Sequence, residues 1–296
     1  MNRIPFERRA LIAHCLVEGV GMRSAARIAK TDLKTVTTTL RDLGDACADY
    51  HHRIMRELNC RRLEVDEMWA YIGMKEDNVA PSERGKNGKG DVYTWIAIDP
   101  ETKLIPSYHV GKRTAADANI FVNDIACRMK GRIQITSDGF KAYQPAIEDA
   151  FGTEIDYAQL HKIFKDSLGG ISAADWLNKK RYAQPDLDAT SKVPLIGNPD
   201  LDQVSTSIIE RYNLNVRKSL KRCQRATVGF SRQFDCFKAA MDLGKMYYNF
   251  CCIHRTIRCT PAMEAKITDH VWEIEEIAAL VKPRAANRPP TYNKAA

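Results

Sequence analysis

The sequence lacks any pair of cysteines at the C-x2-C spacing that zinc ribbons and zinc fingers use, although it contains nine cysteines. The closest metal-like grouping is Cys252, His254 and Cys259, which lacks the paired spacing. We therefore expect reduced thiols in a cytoplasmic protein, many of them buried as small apolar side chains.

Long hydrophobic runs are absent as well. No stretch approaches about 18 consecutive apolar residues, and the first residues, MNRIPFERR, contain no apolar signal core. We expect a protein that is neither secreted nor inserted in a membrane. The chain also has no internal repeat, and its 296 residues suffice for about two domains with a sizeable core.

Acidic residues are fewer than basic residues in this sequence. Lysine and arginine exceed aspartate and glutamate by 45 to 37, which gives a net charge of +8. This balance favours a polyanionic partner without identifying one, because a basic housekeeping protein has a similar composition. The hydrophobic fraction of 44% is ordinary for a soluble globular protein.

The first 50 residues predict three short helices, at 6–18, 22–29 and 34–43, with Thr31-Asp32 offering an N-cap before the third. This is the helix-turn-helix pattern, in which the last helix enters the major groove of DNA. The outward residues of that helix, which would contact DNA, are Lys34, Thr35, Thr37, Thr38 and Arg41. A small helical bundle with a solvated polar face is the alternative.

From residue 61 onward the hydrophobic pattern changes to that of an α/β fold with a mixed sheet. The predicted strands are 61–72, 92–99, 104–110, 132–137 and 154–160, and the helices between them are 114–129 and 143–151. The pattern weakens over 164–204, where glycines and prolines interrupt it, so this segment reads as an insertion. Helices resume at 207–222, 233–252, 261–266 and 271–280.

Three acidic residues have contexts typical of metal ligands. Asp66 lies in a predicted strand, Asp138 follows another strand, and Glu210 lies near the start of a basic helix. Carboxylates at strand ends and on an adjoining helix are what Mg²⁺ requires, because this ion takes oxygen ligands and shares its other positions with water and phosphate. If the three converge, they indicate an enzyme that cuts or joins phosphodiesters.

Each acid also has an ordinary explanation. Asp66 fits a surface carboxylate on an edge strand, and Asp138 fits a Ser-Asp-Gly turn. Glu210 stands three residues after Ser207, the capping-box spacing. Strand alternation places Glu64 on the same face as Asp66 and sends Glu67 to the opposite face.

The helix that begins near Ser207 continues into a basic block. Between residues 211 and 232 there are seven basic residues and no acidic one. A block of this kind is usually a solvated face, but one that starts with a glutamate at the core margin suits a path for DNA phosphates. The polar side chains that follow Glu210 along this path are Asn213, Arg217, Lys221 and Arg222.

At this point the chain resembles bacterial insertion-sequence transposases of the insertion-sequence-one type. The motifs that support the resemblance are VDEMW at 65–69, TSDG at 136–139, VSTSIIERYN at 204–213, YNFCCIHR at 248–255 and TPAM at 260–263. The resemblance implies a ribonuclease-H-like core in which Asp66 and Asp138 are metal ligands and Glu210 is the third carboxylate. Asn213 and Arg217 match positions that line the DNA path in such enzymes.

The resemblance also implies the domain plan and the chemistry. We expect a helix-turn-helix domain at 1–50, a linker at 51–60, a catalytic domain at 61–232 with the insertion at 164–204, C-terminal helices at 233–281 and a flexible tail at 282–296. The expected activity is strand cleavage and strand transfer with two Mg²⁺ ions, or Mn²⁺ in their place. The partners are double-stranded DNA, namely terminal inverted repeats and target DNA, and a second copy of the chain when DNA is bound.

Two other functions remain open at this stage. A DNA-binding regulator, derived from a transposase but without chemistry, would use only the N-terminal helices. A structure-directed nuclease would cut DNA without joining it and would not need those helices. For the transposase we expect a bacterial, nucleoid-associated location.

Overall fold

A computed structural model describes residues 4–84, 88–164 and 187–282 of the chain. These residues divide into two compact units. The first contains 4–55, 70–84, 88–91 and 215–282, and the second contains 56–69, 92–164 and 187–214. Each unit is therefore built from more than one stretch of sequence.

The described part of the chain contains six strands, which form one sheet. The strands are β1 (Arg62–Ile72), β2 (Gly90–Ile98), β3 (Ser107–Gly111), β4 (Ile133–Ser137), β5 (Ile155–Phe164) and β6 (Leu187–Ile196). The α-helices are α1 (Phe6–Val17), α2 (Met22–Ile28), α3 (Leu33–Ile54), α4 (Ala115–Ala126), α5 (Tyr143–Phe151), α6 (Ser207–Ser219), α7 (Phe234–Phe250), α8 (Pro261–Glu264) and α9 (Ile274–Ala279).

The sheet has the strand order β3-β2-β1-β4-β5-β6 and mixes parallel with antiparallel pairs. β4 runs parallel to both β1 and β5, whereas β2 pairs antiparallel with β3 and β5 antiparallel with β6. Helices α4 and α5 pack on each other beside this sheet. The predicted α/β class with a mixed sheet, flanked by helices and preceded in the chain by a helical region, is confirmed.

The third N-terminal helix is longer than the predicted helix at 34–43. α3 runs for 22 residues, so it continues into the segment expected to connect the helices to the sheet. Of the Thr31-Asp32 pair that the sequence offers as an N-cap, Asp32 caps the first turn by accepting a hydrogen bond of 2.7 Å from the backbone N–H of Thr35. Apolar side chains continue at helical spacing beyond the predicted end, and Cys47 is fully buried. This continued burial explains why the helix does not stop at residue 43.

The sixth strand was not predicted, because it lies within the segment 164–204, where glycines and prolines interrupt the hydrophobic pattern. β6 pairs antiparallel with β5 from Ile196 back to Leu187. It lies at the edge of the sheet, where Pro194 is tolerated because an edge strand leaves one row of backbone N–H groups unpaired. Most of its described side chains are exposed, so the strand has little hydrophobic pattern to reveal it.

The core of the second unit contains a cluster of aromatic residues. Trp95, Phe121 and Tyr143 are fully buried, and the ring of Trp95 lies 5.9 Å from Phe121 and 5.6 Å from Tyr143. Such pairs stabilise a core beyond the area they bury. Within the described residues, no helix combines the length and apolar character required to cross a bilayer.

Candidate functional site

The parallel pairing of β1 and β4 brings two of the predicted acids together. The register places Glu64 opposite Thr136, and both Asp66 and Asp138 lie two residues further along their chains from this pair. Asp138 directly follows the last residue of β4. The two carboxylates therefore meet where β4 ends, the edge of an α/β sheet at which ligand groups collect.

Glu67 joins these two acids, contrary to the expectation from strand alternation. Carboxylate oxygens of Asp66, Glu67 and Asp138 lie within 4.8 Å of one another. Asp138 lies just beyond the end of β4 at Ser137, and the carboxylate of Glu67 lies beside it. The motif VDEMW at 65–69 contains Glu67. The alternation of side chains along a strand, however, argued against placing Glu67 on the same face as Asp66.

The surroundings of the three carboxylates favour a cation. The side chain of Glu67 is 2% exposed, and its Oε1 atom is buried without a hydrogen-bond partner. Burial, followed by the charge of Asp138, raises the pKa of Glu67 to about 8 against the opposing effect of Arg113. Burial and the charge of Asp138 likewise raise the pKa of Asp66 to about 6. Crowded acids of this kind are neutralised by protons or by a bound cation.

Helix α6 is tied to the strand that contains Asp66. Oε2 of the buried Glu64 accepts hydrogen bonds from the backbone N–H groups of Ile208 and Ile209, at 2.8 and 2.9 Å. These are N–H groups of the first helical turn, which have no partner within the helix. A side chain 144 positions earlier in the sequence thus caps α6 and sets its position beside β1.

Asn213, which the sequence placed on the DNA path, lies against the acids. Its Nδ2 atom donates a hydrogen bond of 2.8 Å to Oδ2 of Asp66, and its side chain is buried. Hydrogen bonding to the ionised form favours that form, so this contact lowers the pKa of Asp66. Asn213 therefore orients a carboxylate of the cluster.

Glu210 lies one helical turn before Asn213 but outside the group of three. Its Oε1 atom accepts hydrogen bonds from the ammonium of Lys162 and, at 2.7 Å, from the hydroxyl of Thr206. The side chain is 48% exposed. Its charge still reaches the cluster, because it contributes to the raised pKa of Asp66. The predicted third carboxylate is thus near the other two and held by a lysine.

Two further groups surround the acids. Arg113 precedes α4 and places its guanidinium 3.8 Å from Oε2 of Glu67 and 3.9 Å from Oδ2 of Asp138. The hydroxyl of Tyr143 is buried without a hydrogen-bond partner, and burial raises its pKa well above the ordinary value. Sequence reasoning missed both residues, since neither stands in a recognisable motif.

Asp138 both caps a turn and belongs to the acidic cluster. Its Oδ1 atom accepts a hydrogen bond of 3.0 Å from the backbone N–H of Phe140, which is ordinary turn chemistry. Its Oδ2 atom faces Arg113. Gly139 lies close to His161, because a Cβ atom at this position would be 2.9 Å from the ring and would displace it.

The residues predicted to contact DNA differ in how they are engaged. On α3, Lys34 and Thr38 are exposed, whereas Thr35 and Thr37 donate their hydroxyl protons to Asp32 and to the backbone of Leu33. Arg41 donates a hydrogen bond of 2.8 Å to Gln233.

The basic residues after Glu210 are also unequal. Lys221 is exposed. Arg217 donates to the backbone oxygen of Cys223, and Arg222 donates to Ser231 and to the backbone oxygen of Cys236. Burial lowers the pKa of Arg222. Of these three, Lys221 is the side chain most open to a phosphate.

Comparison with known proteins gives weak likenesses. The sequence matches no described protein family and no curated protein. A piggyBac transposase synaptic complex with hairpin DNA is 9% identical, with 93% of this chain and 69% of that chain covered and a TM-score of 0.39. The Mos1 strand transfer complex is 13% identical, with 84% and 79% covered and a TM-score of 0.23.

A third structure is similar to a smaller part of this chain. The Mos1 transposase paired-end complex with the left transposon end is 14% identical, with a TM-score of 0.21 over 52% of this chain. The chain spans 60% of the length of that Mos1 protein. TM-scores of this size do not establish a shared fold, so function has to be argued from the site itself.

Proposed function

We propose that this protein is a DNA transposase. It binds the terminal inverted repeats of an insertion sequence, cuts a DNA strand at the end of the element and joins that end to target DNA. The observation that supports this proposal best is the meeting of Asp66, Glu67 and Asp138 within 4.8 Å beside the end of β4. The resemblance of the surrounding motifs to transposases of the insertion-sequence-one type, and with it the ribonuclease-H-like architecture, points the same way.

The residues present fit a hard divalent cation. All three groups are oxygen ligands, the kind Mg²⁺ and Mn²⁺ take, and Oε1 of Glu67 is buried without a partner. Asp66, Asp138 and Glu67 would hold the metal, with Glu210 adding a fourth carboxylate when Lys162 releases it. Two such ions, when bound, would lower the pKa of an attacking water and stabilise the leaving oxygen.

The chemistry is two phosphoryl transfers at one site. In the first, a water oxygen bonds to phosphorus as the bond from phosphorus to the 3′ oxygen breaks. The water loses its proton, and the 3′ oxygen gains one and leaves as a hydroxyl. In the second, that 3′ oxygen bonds to a target phosphorus and displaces the target's own 3′ oxygen. The number of phosphodiester bonds is unchanged by the second step.

Hydrogen bonds within the protein position the acidic residues, and exposed side chains are available to bind DNA. Asn213 fixes the direction of Asp66 by its hydrogen bond, and Glu64 fixes α6 beside β1 by accepting from two backbone N–H groups. Lys34 and Thr38 on α3, and Lys221 beyond α6, offer exposed groups for DNA phosphates and bases. Because an element has two ends, a homodimer or larger assembly would hold both when DNA is bound.

The test is a cleavage and joining assay on DNA that flanks the protein's own coding sequence, with Mg²⁺ and with EDTA. We expect wild type to cut and join only with the metal. Asp66→Asn, Asp138→Asn and Glu210→Gln should each remove strand transfer while leaving repeat binding largely intact. Arg61→Ala, which removes an exposed charge outside the site, is the control. Normal joining by any one of the three acidic-residue variants contradicts the assignment of the residue that it changes.

The same assay separates the other two functions. Specific binding without metal-dependent cleavage would identify a regulator, and cleavage without joining would identify a nuclease. Either result would replace the transposase proposal.

A further inference from the structure

Arg113 has an unusual position beside the acidic cluster. Its Nη2 atom lies 3.8 Å from Glu67 and 3.9 Å from Asp138, distances too long for hydrogen bonds. The attraction to both carboxylates is therefore electrostatic and leaves the N–H donors unused. Among the described residues, none accepts a hydrogen bond from this guanidinium.

The guanidinium is nevertheless held in place. Its Cζ atom lies 4.1 Å from the centre of the Phe140 ring, which is the geometry of a cation–π contact. Phe140 in turn packs against Trp95 at 5.9 Å and Tyr143 at 6.0 Å, both fully buried. Arg113 therefore stacks on a ring that is itself packed against two core residues. Its direction is set before any ligand arrives.

Arg113 is also accessible. Its side chain is 40% exposed, whereas that of Glu67, to which it points, is 2% exposed. A fixed, accessible guanidinium with free donors is suited to phosphate, because its planar fork matches two phosphate oxygens. An arginine that served only to neutralise the acids would donate hydrogen bonds to their carboxylate oxygens.

We propose that Arg113 binds a phosphate oxygen of the DNA strand being cut and holds that phosphate against Asp66, Glu67 and Asp138. This inference rests on the proposed function. Without a bound cation, the carboxylates attract the guanidinium. Once their charge is neutralised, that attraction falls, and the donors of Arg113, still held by the stack on Phe140, bind the phosphate.

The experiment pairs a change in the protein with a change in the DNA. Full-length wild type, Arg113→Ala, Arg113→Lys and the control Arg61→Ala are titrated with a duplex from the flanking DNA. A second duplex has one neutral methylphosphonate at the phosphate that wild type cuts. Binding of Mn²⁺ alone is measured by calorimetry for each protein.

We expect the methylphosphonate to weaken binding about tenfold or more for wild type and for Arg61→Ala, and far less for Arg113→Ala, which has already lost the contact. Arg113→Lys should be intermediate, since it keeps the charge but not the fork. Arg113→Ala should bind Mn²⁺ at least as tightly as wild type, because the removed charge repels the cation.

Two results would overturn this inference without overturning the proposed function. One is equal sensitivity of Arg113→Ala and wild type to the methylphosphonate. The other is a loss of Mn²⁺ affinity in Arg113→Ala, which would make the residue a structural support of the acids. If wild type cuts no DNA with Mg²⁺ or Mn²⁺, the proposed function itself fails, and this inference fails with it.

Discussion

The side-chain amide of Asn213 donates a hydrogen bond of 2.8 Å to Oδ2 of Asp66. The contact joins helix α6 to strand β1 and gives a buried carboxylate a neutral donor. A neutral donor can hold Asp66 in one direction without occupying it as a cation would. Asn213 is therefore a positioning residue for the acidic cluster.

Replacing this amide should cost stability. We expect Asn213→Ala to lower the free energy of unfolding by about 1–3 kcal/mol, because a hydrogen bond to a charged, buried group is lost. Asn215→Ala is the control, since it changes an exposed asparagine of the same helix by the same atoms and should stay within about 0.5 kcal/mol. Urea denaturation of both variants in EDTA measures the difference. Equal effects would show that the contact contributes nothing.

The acidic cluster should make the metal-free protein less stable as pH rises. The folded-state pKa values of Asp66 and Glu67 are raised to about 6 and about 8. Between the unfolded value near 4 and these values, the folded state binds more protons than the unfolded state, so the free energy of unfolding falls as pH increases. The loss should be on the order of a few kcal/mol and be complete above about pH 8.

Glu67→Gln tests the assignment of this slope. The amide has the same shape and does not titrate, so the variant in EDTA should lose much less stability between about pH 4 and pH 8 than wild type does. Chemical denaturation at several pH values measures both proteins. A slope that is unchanged in the variant would mean that Glu67 is not the group responsible.

The mixed sheet and the meeting of Asp66 with Asp138 follow from features that are local in sequence. Each acid belongs to or follows a strand with a clear hydrophobic pattern, and the parallel pairing of β1 with β4 brings the middle of β1 to the end of β4. Glu67 could not be predicted in this way. Alternation assigns it to the other face, whereas its carboxylate lies beside those of Asp66 and Asp138.

Features that depend on contacts between distant segments were not predictable. β6 contains Pro194, most of its described side chains are exposed, and it is a strand through its pairing with β5. Arg113 has no motif, and its place depends on a stack with Phe140, 27 positions later (140 − 113). Glu64 was assigned to the face of Asp66, but its capping of α6 crosses 144 positions.

The N-terminal helices offer a prediction that separates DNA binding from packing. Lys34 is exposed near the start of α3, so Lys34→Ala should weaken DNA binding and reduce the slope of log affinity against log salt by about 0.9. Its free energy of unfolding should change by less than about 0.5 kcal/mol. Arg41→Ala should lose about 1 kcal/mol of stability, because Arg41 donates a hydrogen bond to Gln233.

The control for these variants is Lys130→Ala, which removes an exposed lysine from the other unit. Titration of fluorescent flanking DNA at several salt concentrations measures the slope for each protein. If Lys34→Ala and Lys130→Ala have the same slope, α3 does not contact the phosphates through Lys34.

The pair formed by Lys162 and Glu210 decides whether Glu210 belongs to the metal site. The two side chains are 28% and 48% exposed, so their ion pair should contribute less than about 1 kcal/mol to stability. If Glu210 is a ligand, Lys162→Ala frees it and should tighten Mn²⁺ binding by up to about fivefold. Glu210→Gln should weaken binding, and Lys162→Ala added to Glu210→Gln should then have no further effect.

Calorimetry on wild type, the two single variants and the double variant measures this cycle. Lys192→Ala is the control, because it removes an exposed lysine of β6 whose ammonium donates to the backbone oxygen of Leu201. An equal gain in Mn²⁺ affinity from Lys162→Ala with and without Glu210 would mean that the lysine acts only through its charge. The metal would then be held by Asp66, Glu67 and Asp138 without Glu210.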